Sequence, residues 1–517
     1  MQTPEWYKPP PAPTNWKEKL AYPWLAAYSF LTRVPRLMGW RLALFMCCSQ
    51  MWLKGCCLYV VGYSLMPIFK SVLGQDAASL QFYTIVIAIP WSVKPIFGII
   101  SDTLRVSGYH KRYWLLFGLT SGILASGLLS VALIQRSATW LVVLFMCISF
   151  EVAIFDLLSE AVYSSLARDY AFTGNDISTW IQGNQQIGGV VAMTFMGVLS
   201  DGGYFYVIFG ITAGLCCVPV IPTVFGWIGE RKAPGNRIIV LDYEKLHQHR
   251  DAFLVIAFTG LAAPITAIIA NAADPLIGFA AALVFSAAAV VGGYFVFPRI
   301  IANFACYQVL TSLARPALGS AMDYFYTAAP DCVPGGPYFS YAYYYTYAGI
   351  VGTLASLLGV AIFFATMSTM RFRLVFILTS LFSGLAGASD LIVVTRLNIA
   401  WGIGDHWAYM VGEAVLEPVL KMLNQLPGNS LASKVVTEGI ESSVFAYLAG
   451  IANFSGMISE LSGALIYGWA GIKTTPPDCN FTALPWLILA CHVIGPAVSG
   501  VALALFLIPN KKPNEKL

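Results

Sequence analysis

Three basic side chains of this sequence stand inside long apolar stretches, where a charge is costly. They are Lys54, Lys94 and Arg315. If these stretches cross a bilayer, each basic group near its centre costs about 2.5–3.5 kcal/mol on insertion scales. Ionisable groups that persist there usually face the interior of the helix bundle and mark paths for substrates or protons. These residues are therefore candidates for binding an anionic group.

Lys94 has the most informative surroundings, because it lies between Pro90 and Pro95 in "IPWSVKPIF". Prolines kink a helix and free backbone carbonyls, which favours a position that lines a cavity. The alternative is a purely structural ion pair with Asp156 or Glu160, and the sequence leaves both interpretations open. Few motif residues surround Lys54, which favours the structural role for this lysine.

Carboxylates in similar stretches offer partners for these cations. Asp156 and Glu160 are spaced to share one face of a helix, and Glu413 and Glu417 are spaced in the same way. Carboxylates inside spans form the proton relays of pumps and transporters. Asp156, Glu160 and Glu413 are therefore the candidates for carrying a coupled proton.

The elements that hold these residues are predicted by composition. Of 517 residues, 58% are hydrophobic and only 11% are charged, against roughly 25% charged in soluble proteins. The chain is therefore predicted to be an integral, multi-pass membrane protein. A net charge of +4 with scattered basic residues argues against a nucleic-acid partner. The sequence has no phosphate-binding P-loop and no metal cluster, so we expect neither an ATP-driven pump nor an enzyme, and no cofactor.

Apolar runs of at least about 18–20 residues predict an all-α protein with about fourteen spans. Their spacing predicts six spans, a polar loop, two further spans and six more, a layout typical of secondary transporters.

The first span of the second six is predicted as a continuous helix at 300–325. About twelve spans remain if 252–297 is a re-entrant hairpin instead. The predicted order is a cytoplasmic tail at 1–40, a six-helix bundle at 41–228, a cytoplasmic loop at 229–251, two additional helices at 252–297, a second six-helix bundle at 298–508 and a cytoplasmic tail at 509–517.

Charge and loop chemistry predict the orientation. Most of the 30 Lys and Arg residues fall on the side that holds both termini, and positively charged loops stay in the cytoplasm. Asn480 begins the glycosylation sequon Asn-Phe-Thr in a loop on the other side, and Cys332 and Cys479 also lie in loops there, where a disulfide persists. A sequon and two cysteines also occur by chance, so both features stay open. We expect a monomer in the plasma membrane.

The segment "GIISDTLRVSGYHKR" resembles the signature loop of the major facilitator superfamily. Its residues Gly98, Asp102, Arg105, Lys111 and Arg112 are then expected to gate one state of the transport cycle. The family's usual arginine after the aspartate is replaced here by threonine. A solvated, positively charged cytoplasmic loop is the alternative.

Several ordered motifs resemble the folate–biopterin transporter family, a branch of that superfamily. They are the Pro90-Trp91-x-x-Lys94-Pro95 stretch, "IFDLLSEAVYSSLAR", "ARPALGSAMDYFYT", "WGIGDHWAYMVGEAVLEPVL" and "TEGIESSVFAYLAGIANFS". The resemblance implies a carrier of folate, biopterin or a related pterin, with proton coupling. Some members carry S-adenosylmethionine, which remains the alternative substrate. A non-transporting membrane receptor and an ion channel are rival functions that the retained charged residues make less favourable.

The substrate-binding set follows from this resemblance and from the chemistry of folate, which has two carboxylates on its glutamate tail and a pterin ring. Lys and Arg suit the tail, and a carboxylate can pair with the guanidine-like edge of the ring. Amides can hydrogen-bond a heterocycle, and tyrosines can stack on it. The predicted substrate-binding residues are Lys94, Arg315, Asp156, Glu160, Asp323, Tyr324, Gln186 and Glu413.

Overall fold

The computed structural model describes residues 4–7, 16–131, 137–170, 176–233, 238–272, 274–367, 369–435 and 441–512. Nearly all regular structure in these residues is helical, so the predicted all-α polytopic class is confirmed. The two predicted cytoplasmic tails, 1–40 and 509–517, fall only partly within the described residues.

The helices before the central loop begin with a 3-10 turn at Glu5–Tyr7 and the amphipathic helix α1. Six long helices follow and make up the N-terminal bundle, α2 to α7. In order, these helices are α1 (Trp16–Met38), α2 (Trp40–Val72), α3 (Ala77–Thr103), α4 (Arg112–Val131), α5 (Ala138–Asp169), α6 (Asp176–Asp201) and α7 (Phe205–Val224).

The remaining helices comprise a short linker helix, the central pair α9 and α10, the C-terminal bundle, α11 to α17, and one short helical turn at Leu397–Ala400 between α14 and α15. In order, they are α8 (Tyr243–Gln248), α9 (Arg250–Ala272), α10 (Pro275–Val296), α11 (Arg299–Leu313), α12 (Gly319–Tyr326), α13 (Ala342–Ile362), α14 (Phe372–Val394), α15 (the consecutive stretches Asp405–Tyr409, Met410–Leu416 and Glu417–Val435), α16 (Glu441–Trp469) and α17 (Leu484–Leu507).

Ten helices in the described part of the chain are long and apolar enough to cross a membrane. The central pair is among them, with 23 residues in α9 and 22 in α10. At 1.5 Å per residue, each is long enough for a full crossing, which favours two spans over a re-entrant hairpin. The long helices α6, α15 and α16 and the broken pair α11–α12 are not among these ten, and they carry several of the candidate residues.

The span expected at 300–325 is not continuous, because the helix stops at Leu313 and restarts at Gly319. Pro316 explains the break: it has no amide hydrogen and disfavours helical geometry in the residue before it, Arg315. Helix α16 supplies hydrogen-bond donors to two backbone carbonyls in the break. The Ser459 hydroxyl donates to the Arg315 carbonyl at 2.6 Å, and Tyr467 donates to the Ala317 carbonyl at 3.1 Å.

A small antiparallel pair of strands departs from the purely helical expectation. Strand β1 (Leu104–Val106) follows α3, and strand β2 (Ile239–Leu241) lies in the central loop. Their pairing fixes the loop after α3 against the segment that follows the N-terminal bundle.

The two bundles meet where α6 crosses α13 and where α3 crosses α16. The central helix α9 packs on both α3 and α16, so the additional pair lies along this seam. At one end of the bundle Cys332 and Cys479 form a disulfide with their Cα atoms 5.2 Å apart. We refer to this as the disulfide end.

Candidate functional site

The charged residues singled out in the N-terminal bundle form one compact group, the lysine–carboxylate cluster: Lys54, Lys94, Asp156 and Glu160. Lys94 Nζ lies 2.6 Å from Asp156 Oδ2 and 3.2 Å from Glu160 Oε2. Lys54 Nζ lies 2.8 Å from the other oxygen of the same aspartate, Oδ1. The two ammonium groups and two carboxylates of the cluster therefore balance in formal charge.

Asp156 is the centre of this cluster, and its side chain is only 3% exposed. It also accepts a 3.4 Å hydrogen bond from Gln50 Nε2. Glu160 differs, because its side chain is 51% exposed. The cluster thus combines a buried anchor with one carboxylate that an entering molecule can reach.

Local backbone features place the two lysines. Lys54 lies in a π-helical stretch, Cys47–Cys57, and such bulges often occur at functional sites. Gly55 lets this stretch approach α6 closely, since an added Cβ there would lie 2.5 Å from the Gln185 carbonyl oxygen. Lys94 Nζ lies 5.5 Å from the centre of the Trp91 ring, a favourable cation–π contact.

The cluster borders the seam between the bundles. Asn453 of α16 donates from Nδ2 to the Trp91 carbonyl at 3.0 Å. This bond connects the C-terminal bundle to the turn of α3 that carries Lys94. A change in the relative position of the bundles would therefore alter the position of the helical turn that carries Lys94.

Arg315 does not join this cluster. It lines a cavity of about 300 Å³ in the C-terminal bundle, the α15 cavity. Its lining residues come from the break after α11 and from α14 and α15: Arg315, Ser383, Ala386, Glu417, Leu420, Lys421 and Asn424. Ser383 and Asn424 are hydrogen-bonded to each other.

Glu413 lies one turn before this cavity, beside a second acid that the sequence analysis did not single out. Its carboxyl group lies close to that of Asp390, and Asp390 accepts a 2.9 Å hydrogen bond from the Tyr326 hydroxyl. Two neighbouring carboxyl groups repel each other when both are ionised, which favours retention of a proton by one of them. This pair can therefore hold an exchangeable proton inside the bundle.

Asp323 and Tyr324 lie towards the disulfide end. Asp323 accepts a hydrogen bond from the Tyr344 hydroxyl, and the Tyr324 hydroxyl donates to the Gln75 carbonyl at 2.6 Å. Lys70 caps the end of the same helix, with Nζ 2.9 Å from the Thr327 carbonyl. The contacts of Tyr324 and Lys70 join the two bundles at the disulfide end.

Gln186 is half-buried on α6 and has no hydrogen-bond partner among the described residues. The structure therefore leaves its amide free in the described part of the chain. A substrate heterocycle remains the predicted partner of this amide.

The expected gating loop packs against the segment after α7. The carboxylate of Glu230 accepts from the backbone amides of His110, Lys111 and Arg112, which lie at the start of α4. A carboxylate is favourable at a helix N-terminus, where unpaired amides point outward. Arg112 donates to the Val224 carbonyl at 2.6 Å, and Arg105 lies in β1.

The loop that contains Cys479 also contains Asn480. The side-chain oxygen of Asn480 accepts a 2.7 Å hydrogen bond from the Thr482 hydroxyl. The predicted sequon is thus placed at the disulfide end, next to the bridge between the two loops.

Sequence reasoning missed Lys421, Asp390 and Glu230. A signal existed for Lys421, because it is a charge inside an apolar run, spaced from Glu417 to lie on the same helix face. Asp390 likewise interrupts the apolar run of α14. No local signal points to Glu230, which is one of several charges in a polar loop.

Comparisons with known proteins agree with this architecture. Residues 54–516 match the model of the BT1 family. A folate-biopterin transporter of Synechocystis sp. is 25% identical over 429 residues, which is 81% of this chain and 74% of that protein. Probable folate-biopterin transporter 2 of Arabidopsis thaliana is 23% identical over 77% of this chain and 70% of that protein. Folate transporter 1 of Plasmodium falciparum is 20% identical over 83% of this chain and 72% of that protein.

Solved structures show the same fold at low identity. An auto-inhibited POT family peptide transporter matches with a TM-score of 0.60 at 12% identity, covering 90% of this chain and 96% of that one. The nucleoside transporter NupG matches with a TM-score of 0.59 at 12% identity, and the match covers 90% of this chain and 99% of that one. The fold is therefore that of major-facilitator-type transporters.

Proposed function

Because this chain belongs to the BT1 family, and is thus a membrane transporter of the folate and pterin type rather than an enzyme, we propose that it is a secondary active carrier. In this proposal it moves folate or a related pterin by alternating access, with a coupled proton. The unit is a monomer of two six-helix bundles, 41–228 and 298–508, with the pair 252–297 along their seam.

The lysine–carboxylate cluster is the observation that carries this proposal. It places Lys94 beside the seam, balanced by Asp156 and by the accessible Glu160. Charges in a span persist where they serve a substrate or proton path. A substrate group that pairs with Lys94 or Glu160 would exchange one ion pair for another, which keeps the cost of binding low.

The crossing of α6 with α13 supports alternating access. Asp201, at the end of α6, accepts from the amides of Tyr341 and Ala342 at 2.6 and 2.8 Å. These contacts and those of Lys70 join the bundles at the disulfide end. A carrier that rocks one bundle against the other must break them to open that end.

Proton coupling is assigned to the Asp390–Glu413 pair ahead of Asp156 and Glu160. Asp156 already has its charge balanced by two ammonium groups. In the Asp390–Glu413 pair, repulsion between the two neighbouring carboxylates instead favours retention of one proton. We therefore propose Glu413 for the proton-coupling role expected from the sequence, together with Asp390.

Uptake by cells that express this chain tests the proposed function. We expect uptake of labelled folate or biopterin that increases at acidic external pH, and its loss in Lys94→Ala. Lys473→Ala is the matched control, because Lys473 is exposed in a loop and 3.5 Å from Asp478, so uptake should be unchanged. Uptake of S-adenosylmethionine alone would assign the alternative substrate of the family. Uptake of none of the three, with normal surface expression, would contradict a carrier of this substrate class.

We propose that the disulfide end faces outside the cell and that both termini are cytoplasmic. Asn480→Gln is then expected to remove a glycan, because Asn480 lies in a loop at this end. The measurement is a gel shift that glycosidase treatment also produces. Asn453-Phe454-Ser455 has the same sequon spacing but lies within α16, so the remaining chain should show no further shift. A glycosidase shift that persists in Asn480→Gln would place the modification elsewhere and contradict this topology.

A further inference from the structure

We propose that the α15 cavity binds the anionic tail of the substrate, with Arg315 and Lys421 as its paired cations. The proposal deepens the proposed function, on which it rests, by separating two subsites. The lysine–carboxylate cluster would contact the ring end, and the α15 cavity would take a tail that carries two carboxylates.

The charge balance of the cavity is the first argument. Its lining contains two cations, Arg315 and Lys421, and one carboxylate, Glu417. Within the described ranges, neither cation has an ion pair within 4.0 Å. The lysines of the other cluster are fully matched by contrast. An anion that entered the α15 cavity would therefore meet two cations that are free to pair with it.

Asp390 does not remove this excess of positive charge. It lies near enough to Arg315 for an electrostatic interaction, but its Oδ1 accepts a hydrogen bond from the Tyr326 hydroxyl, and no ion pair within 4.0 Å joins it to Arg315 in the described ranges. Repulsion between the neighbouring carboxyl groups of Asp390 and Glu413 favours retention of one proton, which lowers the negative charge that the pair presents to Arg315.

The accessibility of Lys421 is the second argument. Lys421 is exposed although it lies well inside α15, which continues to Val435. Its side chain lines the α15 cavity, and ionisable groups within spans usually face the bundle interior or a water-filled cavity. Its ammonium group is therefore presented to a solute in the cavity.

The size and lining of the cavity define the ligand chemistry. A volume of about 300 Å³ is at the lower end for ligand sites, which suits one part of a substrate better than a whole folate. A guanidinium can bind one carboxylate through two parallel bonds, and an ammonium can bind a second as a point charge. Ser383 and Asn424 add a polar edge, while Ala386 and Leu420 line an apolar side suited to methylene groups.

This arrangement predicts selectivity for a substrate with a dicarboxylate tail. Biopterin has no carboxylate, and S-adenosylmethionine carries a sulfonium that two cations would repel. Folate and N-(4-aminobenzoyl)-L-glutamate both carry the tail, and the second compound lacks the pterin ring.

Binding to the purified transporter tests the proposal with folate, N-(4-aminobenzoyl)-L-glutamate and biopterin as probes. Lys421→Gln should weaken binding of the first two about 10- to 100-fold, as expected for losing a hydrogen bond to a charged group. Binding of biopterin should change less than about twofold, since it makes no contact with the tail subsite. Lys421→Arg retains the charge and should keep most of the affinity, and Lys473→Gln is the neutral control.

The results separate failure of this inference from failure of the proposed function. Equal weakening of folate and biopterin in Lys421→Gln, or no weakening of either, would overturn the tail subsite while leaving a pterin carrier intact. Binding of N-(4-aminobenzoyl)-L-glutamate that depends on Lys421, in a protein that takes up no pterin, would keep the anion site and reject the pterin substrate. Failure of that compound to bind the unaltered protein would overturn the inference. An unliganded melting temperature close to that of the parent shows that each variant is folded.

Discussion

Replacing Asp156 by asparagine is expected to destabilise the transporter and abolish uptake. Asp156 pairs with Lys94 at 2.6 Å and with Lys54 at 2.8 Å, and it is buried. Lys94 would keep Glu160 as a partner, but Lys54 would lose its only ion pair within the described residues. Breaking a buried ion pair by removing one member costs about 3–5 kcal/mol. The measurements are the melting temperature of the purified protein and uptake in cells.

The orphaned lysine predicts a specific rescue. Lys54→Met in the Asp156→Asn background removes the uncompensated charge, so it should restore much of the lost stability while uptake stays absent. Exposed Asp478→Asn, whose lysine partner is also exposed, is the control and should be neutral, because exposed ion pairs contribute about 0–1 kcal/mol. Asp156→Asn with parental stability would show that the lysine–carboxylate cluster is not held by this carboxylate.

Introducing valine at Gly197 is expected to reduce uptake about tenfold or more by preventing closure at the disulfide end. A Cβ at Gly197 would lie 2.4 Å from the Tyr341 carbonyl oxygen and 2.6 Å from the Ala342 Cα. Both are backbone atoms of the opposite bundle, so they cannot move aside cheaply. Overpacking of this kind costs about 1–3 kcal/mol, and each 1.4 kcal/mol changes an equilibrium about tenfold. The ratio of the closed to the open arrangement of α6 and α13 should therefore fall about tenfold.

Labelling distinguishes this opening from simple misfolding. The Thr346 hydroxyl is buried against α6 and donates to the Met193 carbonyl at 2.6 Å. A Thr346→Cys side chain should react with a membrane-impermeant maleimide faster when Gly197→Val is present, above the labelling of the parent. Gly210→Val on α7 is the matched control, since nothing lies within 4 Å of a Cβ there. Parental uptake by Gly197→Val would mean that closure of this crossing is not required for transport.

The membrane class, the long helices and part of the candidate site could be predicted from the sequence. Lys94 was expected to bind substrate or to pair with Asp156 or Glu160, and the structure shows contacts with both carboxylates. That expectation was possible because a charge within a bilayer must find an opposite charge, and the spacing of the two acids places them on one helix face.

Other pairings depend on how each helix is rotated against its neighbours. Lys54, which shares Asp156 with Lys94, lies in the π-helical stretch of α2 that packs against α6. Asp390 lies on α14 and Glu413 on α15. Nothing in the sequence around either residue predicts that the two are neighbours. Arg315 faces α15 because the helix breaks at Pro316, although the sequence grouped it with Lys94 as a contact for the same tail.

By itself the sequence determined the all-α membrane class, the family and the charged residues that need partners. These follow from hydropathy, motif order and charge, which are properties of short segments. Only the tertiary structure decided that Asp156 holds two lysines, that Lys421 joins Arg315 in a separate cavity, and that Asp323 and Tyr324 lie towards the disulfide end. The physical reason is that side-chain contacts between helices are set by close packing and by breaks in the helices, and these depend on residues distant in the chain.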